Sequence, residues 1–487
     1  MNTSRREFLL GAAALGLGGW RLFAAPLGWK HGGKPNLVFG VVSDTHLRTR
    51  HGSSGKPGHN WPDKYFAAAL EYFKRRGVDA VVHCGDMAHR GQVEEMQFHA
   101  NAWNRVFGPS GGPVKLFVTG NHDAEGARYG GFVEKNYPDP AERAKHVLAT
   151  DMAANWERIW GEKYDGVWHK EVKGYHFFGR NWGVDGAELV RLVEETGKTV
   201  RLDDPARPFF FMTHSRPVAP LRKRVSAKRN AVSFFGHNHW SIANWNMAYL
   251  YYGRLPCFEC ASCEPRGCSG LVGDAWITKA KLEGRDPANT GKGRQGYVVC
   301  MYDDMMVLER HDFSDGESSL GADWVMPFER EEGSGKRPHP LSREERKKAI
   351  GEPQFKRGAA LEICNCENVK LCNYENMEMK EISQSHNSTI SQSHNLTIKI
   401  PLANGNPDSR VYAYEVEVTG DEGTPKLCKA IYAAGVNMGI GHEPNGGVTT
   451  LEIPKSELPP GKTLTFAVRP LTSLGTSGKA IATEFKV

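Results

Sequence analysis

Five short apolar runs in this chain each stop at a polar cluster. Leu37–Val42 runs into Asp44-Thr45-His46, Ala80 to Val82 into Gly85-Asp86, and Val114 to Val118 into Gly120-Asn121-His122-Asp123. Phe209 to Met212 runs into His214, and Ala231 to Phe235 into Gly236-His237-Asn238-His239. Apolar runs bounded this way predict buried strands of a packed sheet. Phe66, Leu70 and Phe73 recur at helical spacing within Asp63 to Arg76, and Met96, Ala100, Trp103 and Phe107 repeat the stripe one unit later. Both predict amphipathic helices laid over that sheet. Gln295 to Phe313 reads as a hairpin turning at Asp303-Asp304.

Buried α/β sheets hold their ligands beyond the carboxyl ends of the strands. Five segments therefore deliver Asp, Asn and His side chains to one rim. A mixed oxygen and nitrogen set of this size suits two hard-to-borderline metal ions rather than one structural zinc.

The ordered set D-x-H, G-D, G-N-H-D, H and G-H-x-H resembles the calcineurin-like metallophosphoesterase superfamily over roughly residues 35 to 330. The resemblance implies an α/β fold, a four-layer α/β/β/α sandwich, and hydrolysis of a small phosphate ester by a hydroxide bridging two metal ions. The ions would be divalent or trivalent Mn, Fe or Zn. It assigns Asp44 and His46 to the first metal, Asp86 as the bridge, Asn121, His214 and His237 to the second metal, and His239 to the first. His122 would assist the leaving group, and Asp123 would orient His122 and hold its charged form. Phosphodiesters are favoured over monoesters. Arg90, and also Arg216, carry guanidinium forks that match a phosphoryl group, and Arg90 is the expected substrate contact. Purple acid phosphatases carry a tyrosine three residues after the bridging aspartate; His89 stands there in this chain, which removes support for a tyrosinate-ligated iron. Residues 125 to 200 mix aromatic and charged residues irregularly and are expected to build part of the substrate rim.

Other features bound the picture. The net charge is +6 over 487 residues, which makes no case for nucleic acid; the basic run Arg222-Lys223-Arg224 with Lys228-Arg229 reads as a solvated loop. Ser4-Arg5-Arg6 before an Ala/Gly/Leu stretch resembles a twin-arginine export signal at 1–25, cleaved near Ala24-Ala25. That implies the twin-arginine export machinery as a partner and a periplasmic or extracytoplasmic bacterial product. No segment reaches the roughly 18 apolar residues of a membrane span.

The catalytic domain is expected over 35–328, a charged linker over 329–352, and a C-terminal all-β sandwich over 353–487. Tyr412 to Val418 alternates, and Leu464 to Val468 and Ile481 to Val487 are strand-like. The module resembles a fibronectin-III domain. A near-duplicate Ile382 to Asn387 and Ile390 to Asn395 lies in an expected inserted loop at about 364–395, after Cys364, Cys366 and Cys372.

Two alternatives stand beside the enzyme. One is a non-catalytic extracytoplasmic binding protein using the sandwich. The other is an iron–sulfur or structural-metal module, because Cys257, Cys260, Cys263 and Cys268 form C-x2-C-x2-C-x4-C. Against the latter, a strand through Cys257 to Cys263 would send alternate side chains to opposite faces.

Overall fold

A computed structural model describes residues 23–24, 31–48, 63–126, 135, 137–204, 207–217, 221–223, 230–243, 247–251, 255–268, 280–284, 293–314, 316–320, 323–328, 343–365, 395–404, 411–421, 425–434 and 448–486. They divide into two compact units: 1–272 with 288–350 and 438–442, and 273–287 with 351–437 and 443–487.

In the first unit the elements run β1 (Leu37–Val42), α1 (Lys64–Arg76), β2 (Ala80–His83), α2 (Val93–Phe107), β3 (Val114–Phe117), α3 (Asn121–Glu125), α4 (Pro140–His146), α5 (Met152–Trp160), β4 (Val167–Val172), β5 (Tyr175–Arg180), α6 (Gly186–Thr196), β6 (Phe209–Thr213), β7 (Ala231–Phe235), β8 (Ala248–Tyr251), β9 (Leu255–Glu259), β10 (Gln295–Met301), β11 (Met305–Asp312) and β12 (Trp324–Pro327). One mixed sheet has the order β12-β11-β10-β1-β2-β3, and a second has β4-β5-β6-β7-β9-β8. In the first, β1, β2 and β3 are mutually parallel. In the second, β5, β6, β7 and β9 are mutually parallel. The polar clusters that follow β1, β2, β3, β6 and β7 thus all leave carboxyl ends of parallel strands, which is where α/β sheets build sites.

Aromatic rings fill the space between the sheets. Phe39 of β1 meets Phe177, Phe210 and Phe234 of the second sheet at 5.4, 5.2 and 5.9 Å between centroids. Trp324 of β12 meets Phe258 at 6.4 Å. All four contacts are edge-on or tilted rather than face-to-face; every one of these rings is fully buried. On the first sheet's outer face, α1 buries Phe66, Ala69, Leu70 and Phe73, and α2 buries Met96, Ala100 and Trp103. Gly77, in the left-handed conformation, ends α1. Leu189, Val190 and Val193 of α6 join the cluster on the second sheet. The two helices and the hairpin expected from the stripes are present.

Two parts of the chain depart from expectation, and a third is more regular than its residue pattern. In that third, between 125 and 200 where part of the substrate rim is expected, the described residues hold α4, α5, the β4–β5 hairpin that opens the second sheet, and α6. Their pattern was obscured because β4 is an edge strand, half-buried through Val167 to Lys170. Arg343–Ile350, inside the expected linker, is a helix. Leu282–Glu283, inside the expected catalytic span, pairs in parallel with Ala430 and Ile431 of the second unit. Phe23–Ala24, near the expected cleavage point, pairs with Trp324 and Val325; the remainder of the expected export signal lies outside the described residues.

The second unit is all β among the described residues apart from a short 3-10 turn. Pro425–Tyr432, Val411–Thr419, Thr463–Thr472 and Ile481–Lys486 form an antiparallel sheet, and Glu362–Asn365, Asn395–Ile400 and Thr449–Pro454 form another. Thr463–Thr472 buries alternate residues, Leu464, Phe466 and Val468. The expected insertion lies outside the described residues at 366–394, and the strands that flank it pair with each other.

Candidate dinuclear metal site

The polar clusters converge. Asp44, His46, Asp86 and His239 offer ligand atoms within 4.8 Å of one another, and so do Asp86, His214 and His237. Asp86 belongs to both groups. Asn121 joins the second: its Oδ1 lies 2.9 Å from His214 Nε2 and 3.0 Å from His237 Nδ1. His46 Nε2 and His239 Nε2 lie 3.1 Å apart, and His46 Nε2 is 3.6 Å from Asp86 Oδ2. Asp44, His46, Asp86 and His214 are buried, whereas His237 faces solvent.

The backbone is shaped to make this possible. Asp44, His46, Asp86, His237 and His239 all have positive φ: 52, 43, 56, 76 and 59°. Non-glycine residues in this region are uncommon and strained, and such strain gathers at functional sites. At Gly236 and Gly120 close approach excludes any side chain. A Cβ on Gly236 would overlap Ser43 Oγ and the Asp44 carboxylate, and one on Gly120 would overlap the Asp86 carboxylate.

A hydrogen bond fixes the working nitrogen of His214, and a carboxylate stands behind His239. His214 Nδ1 donates to the Cys84 carbonyl at 2.8 Å, which leaves Nε2 directed at Asp86, 3.1 Å away. Glu264 Oε1 lies 3.4 Å from His239 Nδ1, on the far side from Asp44. Asp44 Oδ2 accepts from Ser43 Oγ and the His237 N–H, at 2.5 and 2.9 Å. Its Oδ1 has no aligned hydrogen bond among the described residues, although His239 Nε2 is 3.0 Å away.

The electrostatics call for positive charge. Burial opposes the charged forms, but Asp86 and Asp44 hold His214 and His239 up to about 10. Burial likewise opposes ionised Asp86, yet His214 and His46 bring it down to about 2. Buried carboxylates persist as anions only beside cations. The orphaned Asp44 oxygen and the facing imidazole nitrogens fit metal ions between them.

Two expected roles are repositioned. Asp123 was expected to face His122. Its oxygens instead accept the Ala88 and Gly120 N–H groups at 2.7 and 2.8 Å, so it pins the two ligand-bearing loops together. The partner of His122 Nδ1 is the His89 carbonyl at 2.7 Å. Burial and the His46 ring push His122 down, toward the neutral form at pH 7. Arg90 lies half-buried beside the site, its N–H donating to Glu95 at 2.7 Å. Arg216 is stacked between Trp240 and Tyr249, 4.8 Å from each.

The cysteine module is not assembled. Cys257 packs in the cluster outside the second sheet, and Cys263 in the one outside the first. Cys263 Sγ faces the Gln295 carbonyl and Cys260 Sγ faces Cys84 Sγ, at 3.4 and 3.7 Å. Among the described residues no metal-capable group contains a cysteine. Burial pushes all four thiols upward, away from the thiolate form a cluster needs.

Residues 37–241 match the model of the calcineurin-like phosphoesterase family, and this stretch is a calcineurin-like phosphoesterase domain. Family members depend on two metal ions, and the His/Asp groups above are a site able to hold them. Among solved structures the chain is similar to a dimetal phosphatase from Danio rerio, at 9% identity and TM-score 0.33, covering 61% of this chain and 100% of that one. It is also similar to a purple acid phosphatase from yellow lupin, at 12% identity and TM-score 0.35, covering 60% of this chain and 54% of that one. A third is a predicted phosphoesterase from Streptococcus pneumoniae, at 14% identity and TM-score 0.27, covering 60% and 97%. No curated protein matches the sequence.

Glu264, His89 and Arg48 border this site without belonging to any of the motifs. Glu264 lies within the cysteine-rich stretch, where the cysteine spacing drew attention away from the acid.

Proposed function

We propose that this chain is an exported, metal-dependent phosphoesterase that prefers phosphodiesters to monoesters. The observation that carries the reading is Asp86, shared by two groups of ligands. Asp44, His46, Asp86 and His239 would hold one ion; Asp86, Asn121, His214 and His237 would hold the other. Mn, Fe or Zn suits such donors. When bound, the pair supplies an acidified water and neutralises phosphoryl charge.

The remaining steps belong to the protein. His122, fixed through Nδ1 by His89, keeps Nε2 for the substrate. An arriving phosphoryl anion raises its basicity, which readies it to protonate the departing oxygen. Asp123 positions His122 indirectly, by holding Gly120 and Ala88. Arg90 contacts a phosphoryl oxygen. The exposed edge at His237 admits an ester with two substituents, which is why diesters are favoured.

The domain is read as an α/β/β/α sandwich followed by a fibronectin-III-like module, exported by the twin-arginine machinery to the periplasm. Among the described residues no helix is long and apolar enough to cross a membrane.

The test compares bis-p-nitrophenyl phosphate with p-nitrophenyl phosphate, on metal-stripped protein reloaded with manganese, beside Asp86→Ala. Manganese-dependent hydrolysis of the diester, lost in Asp86→Ala, is expected. Two metals bound without hydrolysis of either ester would point to a narrower substrate. Neither metal nor activity would overturn the reading. Cell fractionation of a chain carrying Arg5→Lys with Arg6→Lys tests export, since retention in the cytoplasm is expected.

A further inference from the structure

Beside the first ligand group lies a second, cationic group that the proposed chemistry does not use. Leu47 and Ala88 form a parallel bridge that sets the two ligand loops side by side. This puts Arg48 against His89, with Nη2 2.5 Å from Nε2 of the ring. The His89 ring is in turn 5.4 Å from His46 and 5.3 Å from His122, between centroids. On the other flank, Arg266 is exposed, and its Nη2 is 3.1 Å from Glu264 Oε2. Glu264 leads to His239, and His239 back to His46. Two guanidiniums therefore bracket the His46–His239 edge of the site.

Arg266 and Arg90 are the cations that act on Arg48, opposed more weakly by Glu264 and Glu95. The Glu264 carboxylate is divided between His239 and Arg266. Glu95 is buried and pushed up to about 8, so it is neutral at pH 7. The His89 ring accepts the Arg48 N–H. Clustered guanidiniums repel one another, and an anion that bridges them relieves that cost.

We propose that Arg48, held by His89, and Arg266, held by Glu264, form a subsite for a second oxyanion on the substrate, beside the phosphoryl position. This rests on the dinuclear phosphoesterase reading above. The substrate would carry a phosphate or carboxylate close to the ester that is cleaved. A guanidinium fork recognises either group by paired charge-assisted hydrogen bonds.

Inhibition of bis-p-nitrophenyl phosphate hydrolysis by manganese-loaded full-length protein tests this. Three phosphonates are compared: methylphosphonate, phosphonoacetate and methylenediphosphonate. At least one of the two bearing a second anion is expected to inhibit roughly tenfold to a hundredfold more tightly than methylphosphonate, the weight of one or two charge-assisted hydrogen bonds. A gain confined to phosphonoacetate identifies a carboxylate, and one confined to methylenediphosphonate identifies a phosphate. Arg266→Met, at an exposed position that leaves folding undisturbed, should cut the gain several-fold. Arg48→Met combined with Arg266→Met should abolish it. A gain that survives in the double variant comes from chelation of the metals and overturns the proposal, as does no gain in the parent. Parent protein that does not hydrolyse the diester at all would instead sink the phosphoesterase reading itself.

Discussion

Glu264 stands behind His239: its Oε1 is 3.4 Å from Nδ1, while Nε2 of the same ring lies 3.0 Å from Asp44. The carboxylate is held in turn. Its own backbone N–H donates to Ser262 Oγ at 3.0 Å, and that hydroxyl donates to the Asp44 carbonyl at 2.9 Å. A carboxylate there fixes the tautomer and strengthens the ring as a ligand. Glu264→Gln is therefore expected to weaken metal binding by roughly 10–100-fold, the usual range for such partners. Calorimetric titration of the metal-free protein with manganese checks it. Equal affinity in the variant would mean that Glu264 serves only Arg266.

Gly236 sits where the chain crosses over Ser43 and Asp44. Gly236→Ala places a methyl group against the Asp44 carboxylate, and one of the two must move. Overpacking of this kind costs about 1–3 kcal/mol. Here it also displaces a ligand, so bound metal should fall below two ions per chain. Metal content by mass spectrometry and urea unfolding read the two effects separately. Full metal content would show that the loop yields without disturbing Asp44.

Strand ends, covering helices and the closing hairpin could be read along the chain because apolar periodicity is a local property. The Leu37–Val42 run and the Phe66, Leu70, Phe73 stripe carried that signal directly. The left-handed backbone at Asp44, His46, Asp86, His237 and His239 could not, because nothing in an Asp or His side chain announces it. Glu264 was hidden for a different reason. It reaches His239 through the fold, from a loop after β9, and no spacing rule links the two. Asp123 follows His122 in the chain, and adjacency suggested a pair. Helix α3 turns the two side chains apart, toward different backbone groups. The cysteines misled in the opposite sense. Their spacing looks like a ligand run, but β9 carries Cys257 away to the outside of the second sheet.

Cysteine reactivity follows from that burial. Cys257, Cys260, Cys263 and Cys268 are buried thiols, whereas Cys428 is exposed. Iodoacetamide on native protein should label Cys428 early and leave those four unmodified until denaturant is added, since a reagent needs both access and thiolate. Peptide mass mapping over time checks the order. Protection of the four accompanied by iron and a visible absorption band would revive the cluster alternative.

Glu95 makes stability depend on pH. It is buried, and accepts the Arg90 and Gln92 N–H groups at 2.7 and 3.4 Å. Burial, outweighing those bonds, pushes it up from 4.5 to about 8. Between those two values the native state keeps a proton that the unfolded chain has lost. Stability therefore falls as pH rises through this window; the penalty is absent below about 4.5 and complete above about 8. Glu95→Gln keeps an acceptor oxygen for the backbone and removes the titration. The variant should gain on the parent by about 1–3 kcal/mol between pH 5 and pH 8.5, a fraction of the full linkage value. Urea unfolding across that range, with both proteins in the same metal state, measures the difference. Parallel stability profiles would mean that Glu95 ionises in the folded protein near its ordinary pH, with the Arg90 side chain or water turned toward it.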